Sequence, residues 1–248
     1  MTNVFLANQL RSLHCLEADA IERLLRILKE EPRMAKSRQW INEGSEIRKA
    51  YVIADGWAIR YKTLDDGRRQ ILNFLIPGDM IGYFALLFRT SVYAVDPLTP
   101  VTVHSFTPQR VFDTFRQSPE LAVALSWLAA QVERQLGEQI VRIGRRSARE
   151  RMAHLFMELN YRLLRAGASQ SAAELFPLTQ PLLADALGMS HIHTHRTFRE
   201  LVRDGLVSLH DGKIRLQDAN ALSRLAGFDA GYLEQQPLPV STRKAFSR

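Results

Sequence analysis

The spacing of hydrophobic residues changes along the chain, from a helical period to a strand-like one and back again. Residues 5–30 carry apolar side chains at helical spacing and predict one or two short helices. From residue 40 to residue 106 the apolar runs are short or alternate with polar residues, a pattern typical of β-strands. Residues 108–116 return to the helical period and predict a short helix, and residues 118–144 predict a long one.

Turn dipeptides divide the β-rich segment. Asp55-Gly56, Asp66-Gly67 and Pro77-Gly78 follow one another at intervals of about 11 residues. Glycine adopts a positive φ without steric cost, so these pairs favour tight turns between antiparallel strands. The segment therefore predicts an antiparallel barrel or sandwich.

The long helix has two candidate partners. Ser118 and Pro119 are typical N-cap and first-turn residues. Its apolar side chains recur at steps of four, three and four residues, the spacing of a coiled-coil seam: Leu121, Leu125, Leu128 and Val132. We expect these four residues to form a dimer interface. The alternative is packing against the chain's own β domain, and a helix about 40 Å long can serve both surfaces.

The C-terminal third has the signals of two short helices joined by a tight turn. Thr179 is expected to cap the first helix, Gly188 to end it, and Ser190 to cap the second. Two short β runs then flank Asp211-Gly212, a typical hairpin turn. The pattern predicts a winged helix-turn-helix, with the second helix as the reading helix.

Three closely spaced histidines in the second helix raise the possibility of a metal site. At 100° per residue, His193 lies about 160° from His195, so His191, His193 and His195 cannot converge on one ion. His191 and His195 lie one turn apart, but the neighbouring sequence offers no third ligand. We therefore predict no metal site.

The same helical wheel favours a DNA-reading surface. Thr194, Thr197, Phe198 and Leu201 share one arc and are predicted to face the core. The opposite arc holds His191, Ile192, His195, Arg196 and Arg199. Arginine can pair with guanine O6 and N7 in the major groove, so this arc is the candidate surface for DNA.

Composition narrows the partners and the compartment. The net charge is +7, and residues 142–248 carry 16 Lys and Arg against 10 Asp and Glu, whereas residues 1–141 carry 17 against 16. Basic charge concentrated in one half favours a nucleic-acid partner. The chain has one cysteine, Cys15, which cannot form an internal disulfide, and it has no membrane-length apolar run and no secretory leader. We therefore expect a cytoplasmic protein. The sequence has no nucleophile–base pair, no phosphate-binding glycine loop and no suitably spaced pair of carboxylates. We therefore do not expect an enzyme.

Two stretches, "ADGWAIRYKTLDDGRRQILNFLIPGDMIG" and "PLTQPLLADALGMSHIHTHRTFRELVRDGLV", resemble the Crp/Fnr family of bacterial transcription regulators. The resemblance spans about residues 12–232 and implies an α+β fold. It implies a cyclic-nucleotide-binding-like antiparallel β-roll sensor domain at 12–117, a dimerisation helix at 118–144, a Crp-type winged helix-turn-helix DNA-binding domain at 145–218, and a C-terminal helix and tail at 219–248.

The resemblance also assigns roles in the helix-turn-helix. Ser190 matches the start of the family's reading helix, and Thr179 and Gln180 match positions that contact the DNA backbone. The three positions that usually contact bases hold His191, Ile192 and Arg196. The family's frequent glutamate at the second of these is isoleucine here, which argues against the usual operator sequence.

The sensor domain departs from the cyclic-nucleotide-binding members of the family. The matching pocket would contain Gly82, Tyr83, Arg89 and Tyr93. Tyr83 replaces the acidic residue that holds the ribose, and Arg89 is shifted from the position that holds the phosphate. Without these anchors we expect no cyclic AMP binding.

Cys15 alone cannot ligate an iron–sulfur cluster, which needs about four cysteines. A haem held by His14 or Cys15 would rest on a single residue pair. No cofactor is therefore expected, and neither a small-molecule effector nor a redox role for Cys15 follows from the sequence.

These observations predict a homodimeric, sequence-specific transcription regulator that binds double-stranded DNA at a near-palindromic operator. By resemblance we expect an activator that contacts RNA polymerase and no membrane. The alternative is a ligand-binding or redox-sensing β-roll module with only non-specific affinity for DNA. Competition with excess non-specific DNA in a gel-shift assay would discriminate the two.

Overall fold

The computed structural model describes residues 4–11, 18–31, 34–36, 39–82 and 87–234. From the N-terminus the elements are α1 (Val4–Arg11), α2 (Ala18–Ile27), β1 (Lys29–Glu30), β2 (Ala50–Asp55), β3 (Ala58–Thr63), β4 (Arg69–Leu75), β5 (Met80–Ile81), β6 (Ala94–Pro97), β7 (Thr102–Phe106) and α3 (Pro108–Gln117). They continue with α4 (Pro119–Arg145), α5 (Ala148–Ala166), α6 (Gln170–Ala173), β8 (Leu175–Phe176), α7 (Gln180–Leu187), α8 (His191–Arg203), β9 (Val207–His210), β10 (Lys213–Leu216), α9 (Ala219–Ala226) and a 3-10 turn at Ala230–Tyr232.

The chain folds into two compact units, and the long helix α4 contributes to both. The N-terminal unit takes the described residues of 1–58 and 75–133, with Glu234. The C-terminal unit takes residues 59–74 and 134–233. The hairpin formed by β3 and β4 therefore belongs to the same unit as the helix-turn-helix. The predicted domain boundaries stay a prediction.

An antiparallel sheet with strand order β1-β7-β2-β5 forms the centre of the N-terminal unit. Tyr51 on β2 lies opposite Ser105 on one side and Ile81 on the other. The predicted turn glycines adopt positive φ values. At Gly56, with φ of +86°, a Cβ atom would lie 2.3 Å from the carbonyl oxygen of Pro100, so only glycine fits this turn.

The first half of α4 packs into the core of its own unit, which corrects part of the predicted dimer seam. Leu121 and Leu125 are 0% and 1% exposed in the single chain, among residues of α1, α2, β2 and β7. Leu128 packs against the same cluster, and Val132 is half-buried. Side chains already covered by their own chain offer no surface to a second copy, so Leu121 and Leu125 are core residues.

The start of α5, in the C-terminal unit, is fixed by a pair of reciprocal caps. The Ser147 hydroxyl accepts a bond from the backbone N–H of Glu150, and the Glu150 carboxylate accepts one from the N–H of Ser147, a capping box. Helix α4 continues through Gly144 to Arg145, and α5 begins three residues later at Ala148. The segment 167–174 contains the short helix α6, capped by Ser169.

A buried polar network joins α4, α5 and the 3-10 turn within the C-terminal unit. Arg142, 1% exposed, forms an ion pair with Glu158, donates to Gln139 Oε1 at 2.6 Å, and donates from Nε to His154 Nδ1 at 3.1 Å. The Tyr232 hydroxyl donates to Glu158 Oε2 at 2.7 Å, and the pKa of Tyr232 is raised by burial and by the adjacent carboxylate. Charges this deeply buried require such partners.

His154 is held neutral in this network. Burial, with the charges of Arg142 and Arg146, lowers its pKa from 6.5 to about 3. Its Nδ1 accepts a hydrogen bond from Arg142, so the proton of the neutral ring is assigned to Nε2, which lies 3.2 Å from Glu138 Oε1. Protonation of this ring would place another positive charge beside Arg142.

Between pH 6.5 and pH 3, the unfolded chain binds up to one more proton at His154 than the folded chain does. The site should therefore lower the free energy of unfolding by up to about 1.4 kcal/mol for each unit of falling pH in this window. His154→Gln can accept from Arg142 and donate to Glu138 without titrating. Urea unfolding from pH 7 to pH 4 at fixed protein concentration should show a shallower loss for His154→Gln than for the wild type. Equal slopes for His154→Gln and the wild type would contradict the assignment.

Candidate nucleic-acid interface

The turn between α7 and α8 is set by one glycine and one serine. Gly188 ends α7 with φ of +62°, and the N–H groups of Gly188 and Met189 both bond to the carbonyl oxygen of Ala184. The Ser190 hydroxyl then accepts a hydrogen bond from the N–H of His193 at 3.3 Å, which caps α8 as predicted. Two short helices joined in this way form a helix-turn-helix.

The two faces of α8 are the ones that the helical wheel predicts. Thr194, Thr197, Phe198 and Leu201 are buried. All five predicted DNA-reading side chains are exposed: His191, Ile192, His195, Arg196 and Arg199. His193 is exposed as well. A search of the described residues finds no group of three metal-ligating side chains.

Acidic residues near α8 are bound by an arginine from α5. Arg149 lies 2.5 Å from Asp204 Oδ2 and 3.7 Å from Glu200 Oε2, and its hydrogen bond lowers the pKa of Asp204. Among the described residues, Arg196 and Arg199 form no ion pair. The outward face of α8 therefore presents two guanidinium groups that are free to pair with an anion or a base.

The remaining positions of the motif flank this face. Thr179 occupies the N-cap of α7, but its side chain makes no capping bond, so the expected side-chain cap is wrong. Thr179 is exposed and Gln180 is half-buried at the start of α7. A helix N-terminus presents unpaired N–H groups, and an exposed hydroxyl beside them suits a phosphate contact.

The predicted wing is present, with a third strand that sequence reasoning missed. β9 pairs with β10 across Asp211 and Gly212, whose φ values are +49° and +72°. β8 pairs with the other edge of β10, and Phe176 of β8 stacks on Phe156 of α5. Two residues form too short an apolar run to identify a strand. Lys213 is exposed at the tip of the wing.

The β3–β4 hairpin lies beside the helix-turn-helix. Arg69 on β4 donates from Nε to Asp185 Oδ2 of α7 at 2.9 Å, and its guanidinium lies 5.1 Å from the centre of the Tyr61 ring. The Gln70 side chain donates to the carbonyl oxygen of Ala186 at 3.3 Å. A cleft of about 1040 Å³ separates the hairpin tip from the turn that precedes His191. No sequence signal indicated these contacts.

Two family models match the chain, the Crp-like helix-turn-helix domain over residues 150–225 and the cyclic nucleotide-binding domain over residues 34–118. The nitrogen fixation regulation protein FixK of Bradyrhizobium diazoefficiens is 32% identical over 71% of this chain and 73% of its own length. The chain belongs to the Crp/Fnr family. The family consists of DNA-binding transcription regulators and not of enzymes.

A further relative and a solved structure are also similar to the chain. The transcriptional activatory protein AadR of Rhodopseudomonas palustris is 31% identical over 71% of this chain and 72% of its own length. The structure of FixK2 from Bradyrhizobium japonicum shares the fold, with a TM-score of 0.72 and 23% identity over 82% of this chain and all of that one. The predicted α+β fold class is thereby confirmed.

The three described residues of the expected effector pocket differ in exposure or backbone conformation, and their role stays a prediction. Arg89 is exposed and lies 3.6 Å from Glu46 Oε1. Tyr93 is buried, and Gly82 adopts a φ of +70° at the end of β5. Tyr83 lies outside the described residues, as do His14 and Cys15.

No helix in the described part of the chain is long and apolar enough to span a bilayer.

Proposed function

We propose that this Crp/Fnr protein is a homodimer that binds a near-palindromic operator, with α8 in the major groove, and activates transcription through RNA polymerase. The outward face of α8 carries the proposal, because Arg196 and Arg199 are exposed there and form no ion pair with any residue that the structure describes. Reading helices of a two-fold dimer lie about 34 Å apart, one turn of B-DNA, which favours a palindromic site.

Each exposed group has a task in this complex. Arg196 can donate two parallel hydrogen bonds to guanine O6 and N7. His191 and His195 can donate or accept at neighbouring base edges, and Arg199 can contact a base or a phosphate. Thr179 and Gln180, with Ser190 at the start of α8, lie where backbone contacts would set the position of the helix on the duplex.

We place the dimer contact on the exposed side of α4, because Leu121 and Leu125 are covered by their own chain. Exposed residues recur along α4 at steps of four and three: Ser126, Ala130, Glu133, Gly137, Ile140 and Gly144. Ile140 is 72% exposed in the single chain. Small residues at this spacing let two helices approach closely, and Ile140 would gain cover from the partner.

Gly137→Arg combined with Ile140→Arg should convert the dimer into monomers. The two changes place four like charges at the contact, and we expect the dimer dissociation constant to rise at least about 100-fold. Light scattering at micromolar concentration measures the mass directly. Leu164→Arg, at an exposed position of α5, is the matched control and should stay dimeric. A double variant with the wild-type mass would exclude this contact.

We propose that the β-roll binds neither a resident cofactor nor cyclic AMP. The positions that would hold the ribose and the phosphate lack an acidic residue and an arginine. The activator role is supported by relatives such as AadR, a transcriptional activatory protein. The proposed role in transcription also favours a cytoplasmic location, where the DNA is.

Selection of binding sites from random DNA tests the proposal. Full-length protein should enrich a site with two inverted half-sites, and this binding should survive about a thousandfold excess of non-specific DNA. Enrichment of no sequence, with an affinity that falls steeply with salt, would instead identify a module with non-specific affinity for DNA.

A further inference from the structure

Ile192 is the most exposed large hydrophobic side chain in the described part of the molecule, at 85%. It lies on the outward face of α8, with His195 and Arg196 three and four residues further on. Side chains at these spacings are neighbours on a helix surface. Ile192 is therefore an apolar group surrounded by cationic or polar ones, on the face that the proposed function places against DNA.

The major groove offers one apolar group that an isoleucine at this position could contact, the 5-methyl group of thymine. The edges of guanine, cytosine and adenine present hydrogen-bond donors and acceptors there, whereas thymine adds a 5-methyl group. Isoleucine placed against a polar edge removes water from that edge and offers no hydrogen bond in return. Placed against a methyl group, it buries apolar surface on both sides.

We propose that Ile192 reads the 5-methyl group of a thymine in each half-site of the operator. This inference rests on the proposed function, because it requires α8 to lie in the major groove. Ile192 is suited to the task, since a β-branched side chain in a helix has one strongly preferred χ1 rotamer and loses little entropy on contact.

The position of the thymine relative to guanine is also constrained. Ile192 and Arg196 are four residues apart, about 6 Å along the helix axis, and base pairs are stacked about 3.4 Å apart. The thymine should therefore lie within two base pairs of the guanine that Arg196 contacts. Both should recur symmetrically in the two half-sites.

Replacement of thymine by uracil tests the contact without changing any hydrogen bond, because uracil lacks only the methyl group. In the operator selected from random DNA, each symmetric pair of thymines is replaced in turn and the dissociation constant is measured. Wild-type protein should lose about fourfold in affinity per half-site at one pair only, and about fifteenfold for both half-sites. A second operator carries cytosine in place of thymine at that pair. Replacing this cytosine by 5-methylcytosine restores the methyl group and should recover part of the affinity.

Variants then assign the effect to Ile192. Ile192→Ala should bind thymine and uracil operators within about twofold of each other, whereas Ile192→Val should keep most of the discrimination. His193→Ala, another exposed position of α8, should keep all of it. Thermal unfolding of each variant confirms that the fold is unchanged, as expected for exposed side chains.

The outcomes separate the two proposals. If no operator is enriched, the proposed function fails, and the reading of thymine fails with it. If an operator is enriched but wild-type protein tolerates uracil at every position, only the role of Ile192 is overturned. The same holds if Ile192→Ala keeps the full thymine preference.

Discussion

Arg196→Ala should lower the affinity for the selected operator by roughly 30-fold to 25,000-fold. One guanine contact is worth about 1–3 kcal/mol, and a two-fold dimer loses it in both half-sites. Arg196 is exposed on the outward face of α8 and forms no ion pair with the described residues, so its loss should not disturb the fold. Affinity for non-specific DNA should change little, because that binding comes from many phosphate contacts.

His193→Ala is the matched control for this experiment. His193 is exposed on α8 but lies about 160° around the helix from His195, so its removal should leave base preference unchanged. Arg196→Lys should behave more like the alanine variant than the wild type, since a lysine cannot reproduce the two parallel bonds. If His193→Ala changes the selected site and Arg196→Ala does not, the other face of α8 meets the DNA.

Arg142→Met should lower the free energy of unfolding by about 3 kcal/mol or more. Breaking a buried ion pair costs roughly 3–5 kcal/mol, because the remaining charge is left uncompensated. Glu158 would keep the hydroxyl of Tyr232 at 2.7 Å and the guanidinium of Arg162 at 3.7 Å. These two partners place the expected loss at the lower end of that range. Denaturant unfolding at fixed protein concentration measures it.

Two variants identify the cause of that loss. Arg145→Met changes an exposed arginine of the same helix and should alter stability by less than about 0.5 kcal/mol. Arg142→Met combined with Glu158→Gln removes both charges and should recover part of the stability. If the double variant is less stable than Arg142→Met alone, the stabilising effect of Arg142 does not come from its ion pair with Glu158.

Local signals explain why the helix-turn-helix was predicted in detail. Gly188, Ser190 and Asp211-Gly212 each restrict the backbone within a few residues, through positive φ or a capping bond. The buried and exposed arcs of α8 follow from its helical period alone. Caps, turns and periodicity act between neighbours in sequence, so the sequence carries this information directly.

The incorrect or missed features depend on residues far apart in sequence. The apolar spacing that includes Leu121 and Leu125 shows that one side of α4 is buried. This spacing is the same whether the side chains pack against their own chain or against a partner. Arg142 is a charged residue that composition places at the surface, and its burial depends on Glu158 and Tyr232. Arg69 and Asp185 pair across 116 positions.

The hairpin contact bears on how this regulator could exchange its parts during evolution. A fragment that begins at residue 145 would contain Asp185 and Ala186 but would lack their partners Arg69, Gln70 and Gln139. A single recombination point therefore cannot transfer the reading unit intact to another sensor. The β3–β4 hairpin must be inherited together with the winged helix, or the recipient must supply a hairpin with an arginine and a glutamine at the same places.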